Sequence, residues 1–338
     1  MKYNLAQAAV ESTQKKKRGW FKKGLAGAGI VLGTVAAAKI LGQVSVLGLG
    51  QTQPAPALDY DAALVGFARL QAEEGPEVNP VCRSQLMTHG HKTPGAIVLI
   101  HGLSNCPRQF LELGELLHAQ GYNVLIPRIP YHGLLNRKTP LFKRLTAEKL
   151  KAFAENAVNI ARGLGQEVTV AGLSAGGVMA AWVAQFRPDV AKVVIISPAL
   201  GLKYLPSFAH NTTMKLLLRM PHYFIPRNPQ NVLPHAYLQQ SSRGTGEMLR
   251  LGSAVFEAAH NSKPAVQNIT LILNPTDRAV DNKLSRQLLK RWQANGTESL
   301  RLYEFEASYK LAHDLISTQQ PYQQTALIYP ILLNLISS

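Results

Sequence analysis

Apolar residues recur along this chain in two rhythms, and each change of rhythm marks an element. Short runs rich in Val, Ile and Leu at 96–100, 124–126, 168–171, 192–196 and 269–273 have the length and composition of buried strands. Segments 110–119, 147–162, 178–186 and 282–294 between and after them carry apolar residues at helical spacing. A strand at 300–306 and a helix from about 322 to 336 complete the series. Strands apolar on both faces with helices between them predict an α/β fold, its sheet mostly parallel and covered on both sides.

The rhythm breaks in three places. Segment 59–72 has helical spacing through Leu64, Phe67 and Leu70, and 73–80 is a turn-rich break. Roughly seventy residues separate the strand at 192–196 from that at 269–273, more than one crossover needs. This stretch holds Pro206, Pro221, Pro226, Pro229 and Pro234 among Met214, Met220, Tyr223 and Phe224, and predicts a helical cap at about 201–265. The third break is the N-terminus. Lys15, Lys16, Lys17, Arg18, Lys22 and Lys23 precede 24–50, which is small and apolar with Lys39 its only charge.

The part 25–38 has the length of a signal-peptide centre and ends in Ala36-Ala37-Ala38 as one cleavage site, with Ala55-Pro56-Ala57 as a second. Taken to Gly50, it could instead span a bilayer once, and the basic cluster then keeps the N-terminus cytoplasmic. A Gly/Ala-rich helix packed on the remainder is the third reading. The expectation is a targeting or anchoring segment over 1–57, with an apolar helix outside the fold and a linker at 51–57. A single domain, 58–338, is exported: anchored through 24–50, or secreted after cleavage.

Composition narrows the partners. An apolar content of 46% with 17% charged residues is that of a core-forming protein, and the formal charge is +16. No nucleic-acid motif or basic stripe interleaved with aromatics accompanies that charge, so nucleic acid is not an expected partner. The two cysteines, Cys82 and Cys106, form no metal-site pattern.

The chemistry centres on Gly172-Leu173-Ser174-Ala175-Gly176, where a β-branched run turns directly into a helix-forming run. A turn that sharp crowds its backbone, needs small residues at both glycine positions, and exposes the serine hydroxyl at the top of the sheet. Serine is a weak nucleophile and requires a base held by an acid. His313 lies in the loop after the last strand and is the only histidine beyond His260. Asp277 stands just past the strand at 269–273, with Asp281 as competitor, although a helix N-cap is the simpler task for Asp281. Asp314 adjoins the base in sequence and cannot readily reach back to its ring. Oxyanion donors are expected from the N–H groups of Ala175 and of Leu103, the latter in the turn Ile100-His101-Gly102-Leu103. His101 is expected to brace that turn.

In this order and on these elements, Gly172-Leu173-Ser174-Ala175-Gly176, His101-Gly102, Asp277 and His313 resemble the α/β-hydrolase superfamily over roughly residues 85–336. The resemblance implies an eight-stranded, mostly parallel sheet with helices on both faces and a cap after the sixth strand. It also implies a Ser–His–Asp triad that works without cofactor or metal. Tyr131-His132-Gly133 resembles a structural loop of many members. In an exported protein a Cys82–Cys106 disulfide would brace the oxyanion turn; two free thiols are the alternative. The implied activity is hydrolysis of small-molecule carboxylic esters with an apolar acyl or aromatic part. Amide hydrolysis, acyl transfer to another acceptor and a non-catalytic binding role remain open on the same scaffold.

Overall fold

A computed structural model describes Gly42 and residues 44–203, 205 and 209–338. The basic cluster, the Ala36-Ala37-Ala38 site and residues 24–41 and 43 of the expected N-terminal helix lie outside the described residues, and its last part, 44–50, is coil and turn rather than helix. Among those described, no helix is long and apolar enough to cross a membrane.

The chain from Ser45 to Ser338 is one unit built on a seven-stranded sheet. Helix α1 (Tyr60–Ala72) comes first and β1 (Gln85–Met87) opens the sheet. Then follow β2 (Thr93–Ile100), α2 (Leu111–Ala119), β3 (Asn123–Ile126), α3 (Ala147–Leu164), β4 (Gly165–Leu173) and α4 (Ala175–Phe186). After β5 (Lys192–Ile196) the chain leaves the sheet through α5 (His210–Arg219), β6 (Phe224–Pro226), β7 (Gln239–Ser241) and α6 (Ser242–Asn261). It returns as β8 (Asn268–Leu273), α7 (Asn282–Ala294), β9 (Leu300–Glu304) and α8 (Thr325–Ser337).

Strand order is β1-β3-β2-β4-β5-β8-β9, parallel throughout except for β1 against β3. The chain moves outward from β2 to β3, then crosses back to place β4 on the other side of β2. Loops after β2 and β4 therefore diverge at a switch point, where the carboxyl ends of the strands leave a crevice. In register, Ile100 pairs with Gly172 and Leu173 with Ile196, so the loops that follow emerge side by side.

Packing follows from the pattern. Helix α3 buries Leu150, Phe153, Ala154, Ala157, Val158 and Ala161, the 3-4 spacing of one face. Its N-cap is Thr146, whose hydroxyl accepts from Lys149 N at 3.3 Å. Helix α4 is buried from Ala175 to Gln185, which is why its sequence is apolar all round. On the opposite face, Leu113 and Leu117 of α2 join Leu332, Leu335 and Ile336 of α8 over Ile97, Leu99, Leu173 and Ile196.

Three expectations are corrected. The sheet has seven strands among the described residues, not eight. Upstream of β1 the chain runs through a 3₁₀ turn, Pro80–Cys82, where Pro80 has no N–H to offer a ladder. The stretch 51–57, expected to be a linker, lies along α3, with Ala57 N donating to Asn159 O at 2.8 Å and Ala55 N to Asn159 Oδ1 at 3.3 Å. Just before it, Leu49 is buried and its carbonyl accepts from Trp182 Nε1 at 2.7 Å. Finally, the insertion at 201–265 divides in two. Helix α5 and the β6–β7 ribbon form the cap, whereas α6 packs on α4 and α3 as a layer of the main fold.

Candidate functional site

The turn after β4 holds Ser174 at φ 60°, ψ −111°, a left-handed conformation that costs a non-glycine residue about 1–3 kcal/mol. It is fixed by its own backbone: Ser174 N donates to Ile196 O at 3.0 Å, and Ser174 O accepts from Val178 N at 3.1 Å and Ala199 N at 3.0 Å. A Cβ on Gly172 would stand 2.2 Å from Gly176 O, and one on Gly176 2.0 Å from Ile100 O. Both neighbours are backbone and cannot yield, so the pattern Gly-x-Ser-x-Gly is steric necessity here.

Ser174 and His313 line one cavity of about 470 Å³. Their side chains share it without a direct hydrogen bond, a contact that in sites of this kind often closes only on substrate. On the far side of the ring, His313 Nδ1 donates to Asp277 Oδ2 at 2.7 Å. That bond puts the proton on Nδ1 and leaves the Nε2 lone pair free to accept. Asp277 is buried, and its other oxygen accepts from Ala279 N at 2.8 Å and Val280 N at 3.2 Å. Burial alone would raise this carboxyl's pKa; the bonds from His313 and the two N–H groups outweigh it and hold the pKa below the usual value.

The competing acids have other tasks. Asp281 caps α7, accepting from Lys283 N at 2.9 Å. Asp314 closes its own turn, with Oδ1 accepting from Ile316 N and Ser317 N, each at 3.0 Å.

The turn after β2 runs beside the elbow. Gly102 N donates to Gln109 Oε1 at 2.8 Å, and Ser104 sits at φ 62°. Leu103 N and Ala175 N find no protein acceptor among the described residues. Ala175 opens α4, so its free N–H is one of a helix's orphan donors. His101 is fully buried; Ile129 N donates to its Nε2 at 3.1 Å, so its Nδ1 carries the proton and faces Gly102 O at 2.9 Å. Burial and the neighbouring His132 keep its pKa well below the ordinary histidine value, so it braces the turn as a neutral ring. His132 is likewise buried, packed edge-on to Phe142, and burial pushes its pKa down to about 4. Cys82 and Cys106 are joined, with Cα atoms 5.2 Å apart, and Cys106 lies directly after the turn that carries Leu103.

Several supporting residues escape sequence reasoning. Buried Asn274 donates through Nδ2 to Leu311 O and Ala312 O, both at 3.0 Å, and so holds the loop carrying His313 against the strand end carrying Asp277. From the cap, Tyr237 N donates to Ser104 O at 2.9 Å and Arg227 Nη1 to Ser104 Oγ at 2.8 Å. An amide just past a strand, as in Asn274-Pro275-Thr276-Asp277, is the one cue that could have found the first. No local cue exists for the cap residues.

Comparison with known proteins bears on the fold that carries this site. Over 126 residues the chain is 27% identical to a thermostable monoacylglycerol lipase of Bacillus sp. (strain H-257), a match covering 37% of this chain and 49% of that protein. The matched region thus spans about half the length of that relative. Among solved structures, a monoacylglycerol lipase of Paleococcus ferrophilus superposes with a TM-score of 0.56 at 19% identity, covering 75% of this chain and 98% of that one. One of the metagenome-derived lipolytic enzymes LipS and LipT superposes with a TM-score of 0.58 at 18% identity, covering 77% and 99%. At such identities these likenesses speak for the fold. The model of the alpha/beta hydrolase family matches residues 97–321, well over half of the sequence and all of the elements that carry the site, and the chain belongs to that family.

Proposed function

We propose that the protein is a serine hydrolase that cleaves carboxylic esters by way of an acyl-enzyme. One observation carries this reading: Ser174 and His313 converge on one cavity while Asp277 grips the far nitrogen of the ring at 2.7 Å. In the first half-reaction His313 Nε2 takes the proton of Ser174 Oγ as that oxygen attacks the acyl carbonyl. The N–H groups of Leu103 and Ala175 stabilise the oxyanion. The bond to the alkoxy group breaks, and His313 returns the proton to the departing alcohol. Water then gives a proton to the same nitrogen as it attacks the acyl carbon; the bond to Ser174 Oγ breaks, His313 returns that proton to Oγ, and the acid departs. Asp277 stays ionised and offsets the charge of the imidazolium.

Leu103, Leu173, Leu233 and Pro321 line the cavity and suit an apolar acyl or aromatic portion of the ester. Two of the similar proteins are monoacylglycerol lipases, which supports ester over amide chemistry. Ser174→Ala should abolish both ester turnover and labelling by a fluorophosphonate probe, a loss of several powers of ten in rate. Turnover retained in that variant overturns the reading.

Export is part of the proposal. A Cys82–Cys106 disulfide suits an oxidising compartment, and the basic-then-apolar N-terminus suits a targeting segment. Cleavage after Ala57 would strip Leu49 from Trp182, so a removed signal would end near Ala38 instead. N-terminal sequencing of the mature protein checks this, and a chain beginning at Leu58 would refute it.

A further inference from the structure

The cavity above Ser174 contains a cation, Arg227, that takes no part in bond making or proton transfer in the proposed ester cleavage. Arg227 follows β6 in the cap and lines the cavity together with Ser174 and His313. Its Nη1 donates to Ser104 Oγ at 2.8 Å and to Tyr237 O at 3.2 Å, which pins one corner of the guanidinium beside the oxyanion turn. Its Nε and Nη2 have no protein acceptor, and no carboxylate forms an ion pair with it among the described residues.

The charged neighbours do not fill that role. Arg137, the nearby cation, is spent on the cap backbone, with Nε to Ala236 O and Nη2 to Leu233 O, each at 2.8 Å. Asp314 lines the same cavity, but both of its oxygens are taken. Besides the two N–H bonds of its turn, Oδ2 accepts from Ser317 Oγ at 2.6 Å and from Asn105 Nδ2 at 3.5 Å. Burial and the proximity of Arg137 both bear against the charged form of Arg227, and Asp314 offsets them only in part. A part-desolvated guanidinium with open donors is costly unless something pairs with it, and its planar fork matches the oxygens of a carboxylate or phosphate.

We propose that Arg227 is a specificity-determining residue, and that the preferred substrates are esters bearing a carboxylate or phosphate a short spacer from the scissile carbonyl. This rests on the ester-hydrolase reading. The anion would bond to Nε and Nη2 while Ser104 keeps Nη1 in place. Apolar walls would hold the spacer.

The test compares kcat/KM for p-nitrophenyl hemisuccinate and p-nitrophenyl butyrate, whose acyl chains match in length and differ in charge. The hemisuccinate-to-butyrate ratio should fall by about ten- to hundredfold in Arg227→Gln, the range of one charge-assisted contact, and less in Arg227→Lys. In the unaltered protein the same ratio should decline as salt rises. A ratio indifferent to Arg227→Gln overturns the proposal; should that variant fail to fold, a ratio indifferent to salt does so. Calorimetric titration of Ser174→Ala with succinate and with inorganic phosphate reads the anion site without turnover. It shows which oxyanion is preferred, and binding of neither overturns the proposal. Hydrolysis of neither ester would instead overturn the hydrolase reading, with the titration still deciding the anion site.

Discussion

Replacing Asp277 by Asn should remove almost all activity while leaving the fold intact, for a reason visible in the hydrogen bonds. Asp277 Oδ1 is held by two N–H donors, Ala279 at 2.8 Å and Val280 at 3.2 Å, so the amide oxygen of the substituted side chain must stay there. The amide nitrogen then replaces Oδ2 opposite His313 Nδ1, where the present separation is 2.7 Å. An NH₂ group can only donate, so the ring must expose a bare Nδ1 and carry its proton on Nε2. In that tautomer it cannot accept the serine proton. The imidazolium also loses a full charge beside it, worth about 4 kcal/mol at 4 Å in a medium of effective dielectric 20. Restoring the productive tautomer costs about 1–2 kcal/mol more in lost hydrogen bonding. Together these predict a fall in kcat of about 10⁴-fold. Steady-state hydrolysis of p-nitrophenyl butyrate, normalised by fluorophosphonate titration of active sites and accompanied by a melting curve, measures it. A loss below about tenfold in a folded variant would refute the role given to Asp277. So would an equal loss in Asp281→Asn, whose side chain caps α7.

Three further outcomes follow from the packing. Gly176→Ala drives a Cβ to 2.0 Å from Ile100 O and should destabilise the protein by about 3 kcal/mol or more, read as a lowered melting point; an unchanged one would contradict the geometry of the elbow. Reducing Cys82–Cys106, or replacing both by Ser, opens a loop with a sequence separation of 24 and should cost about 3.5 kcal/mol by chain entropy. Urea denaturation checks that, and a change under about 1 kcal/mol would show that the bridge adds nothing. His132 and His235 are both held near a pKa of about 4 by burial, whereas the unfolded chain protonates them near 6.5, so unfolding takes up protons between those values. Stability should therefore be unaffected by these groups above pH 6.5 and fall as pH drops towards 4, by about 3 kcal/mol for each ring. A melting temperature that rose on acidification through this window would refute it.

What could be read from the sequence was what local backbone geometry dictates. Gly172, Ser174 and Gly176 announce themselves because a strand cannot turn into a helix that sharply with larger residues. Asp277 and His313 were legible because they fall at strand ends in the required order, and the structure bonds them to each other across 36 positions of sequence. Strand β1 was not legible. Gln85-Leu86-Met87 has no alternation of its own and is a strand only because Ile126, Leu125 and Val124 pair with it. Helix α6 reads as cap in the sequence because amphipathic spacing states that one face is buried, not against what. Met248, Leu249, Leu251 and Val255 are buried in it, and Gly252 approaches Val178 of α4. Asn274 works across some 37 positions of sequence and Gln109 reaches only the nearby Gly102, but both act through neutral amides, for which sequence offers no periodicity and no charge.

The cap is tied to the turn of Leu103, the proposed oxyanion donor, closely enough that it cannot be a roof alone. Ser104 follows the candidate donor Leu103, and its carbonyl and hydroxyl are both held from the cap, by Tyr237 N at 2.9 Å and Arg227 Nη1 at 2.8 Å. The next residue, Asn105, meets His235 Nε2 at 3.2 Å through its side-chain oxygen. From below, Gln109 holds Gly102 N and the disulfide fixes Cys106. A left-handed Ser104 between these anchors is a strained position that persists only because both sides determine it. Stabilisation of an oxyanion depends on donors already aimed before charge develops, and an error of about one ångström loosens them. Changes at Arg227, His235 or Tyr237 should therefore reach the rate of acyl transfer through the position of Leu103 N–H, as well as through what the cavity admits. On the proposed hydrolase reading, selectivity and rate share the same side chains.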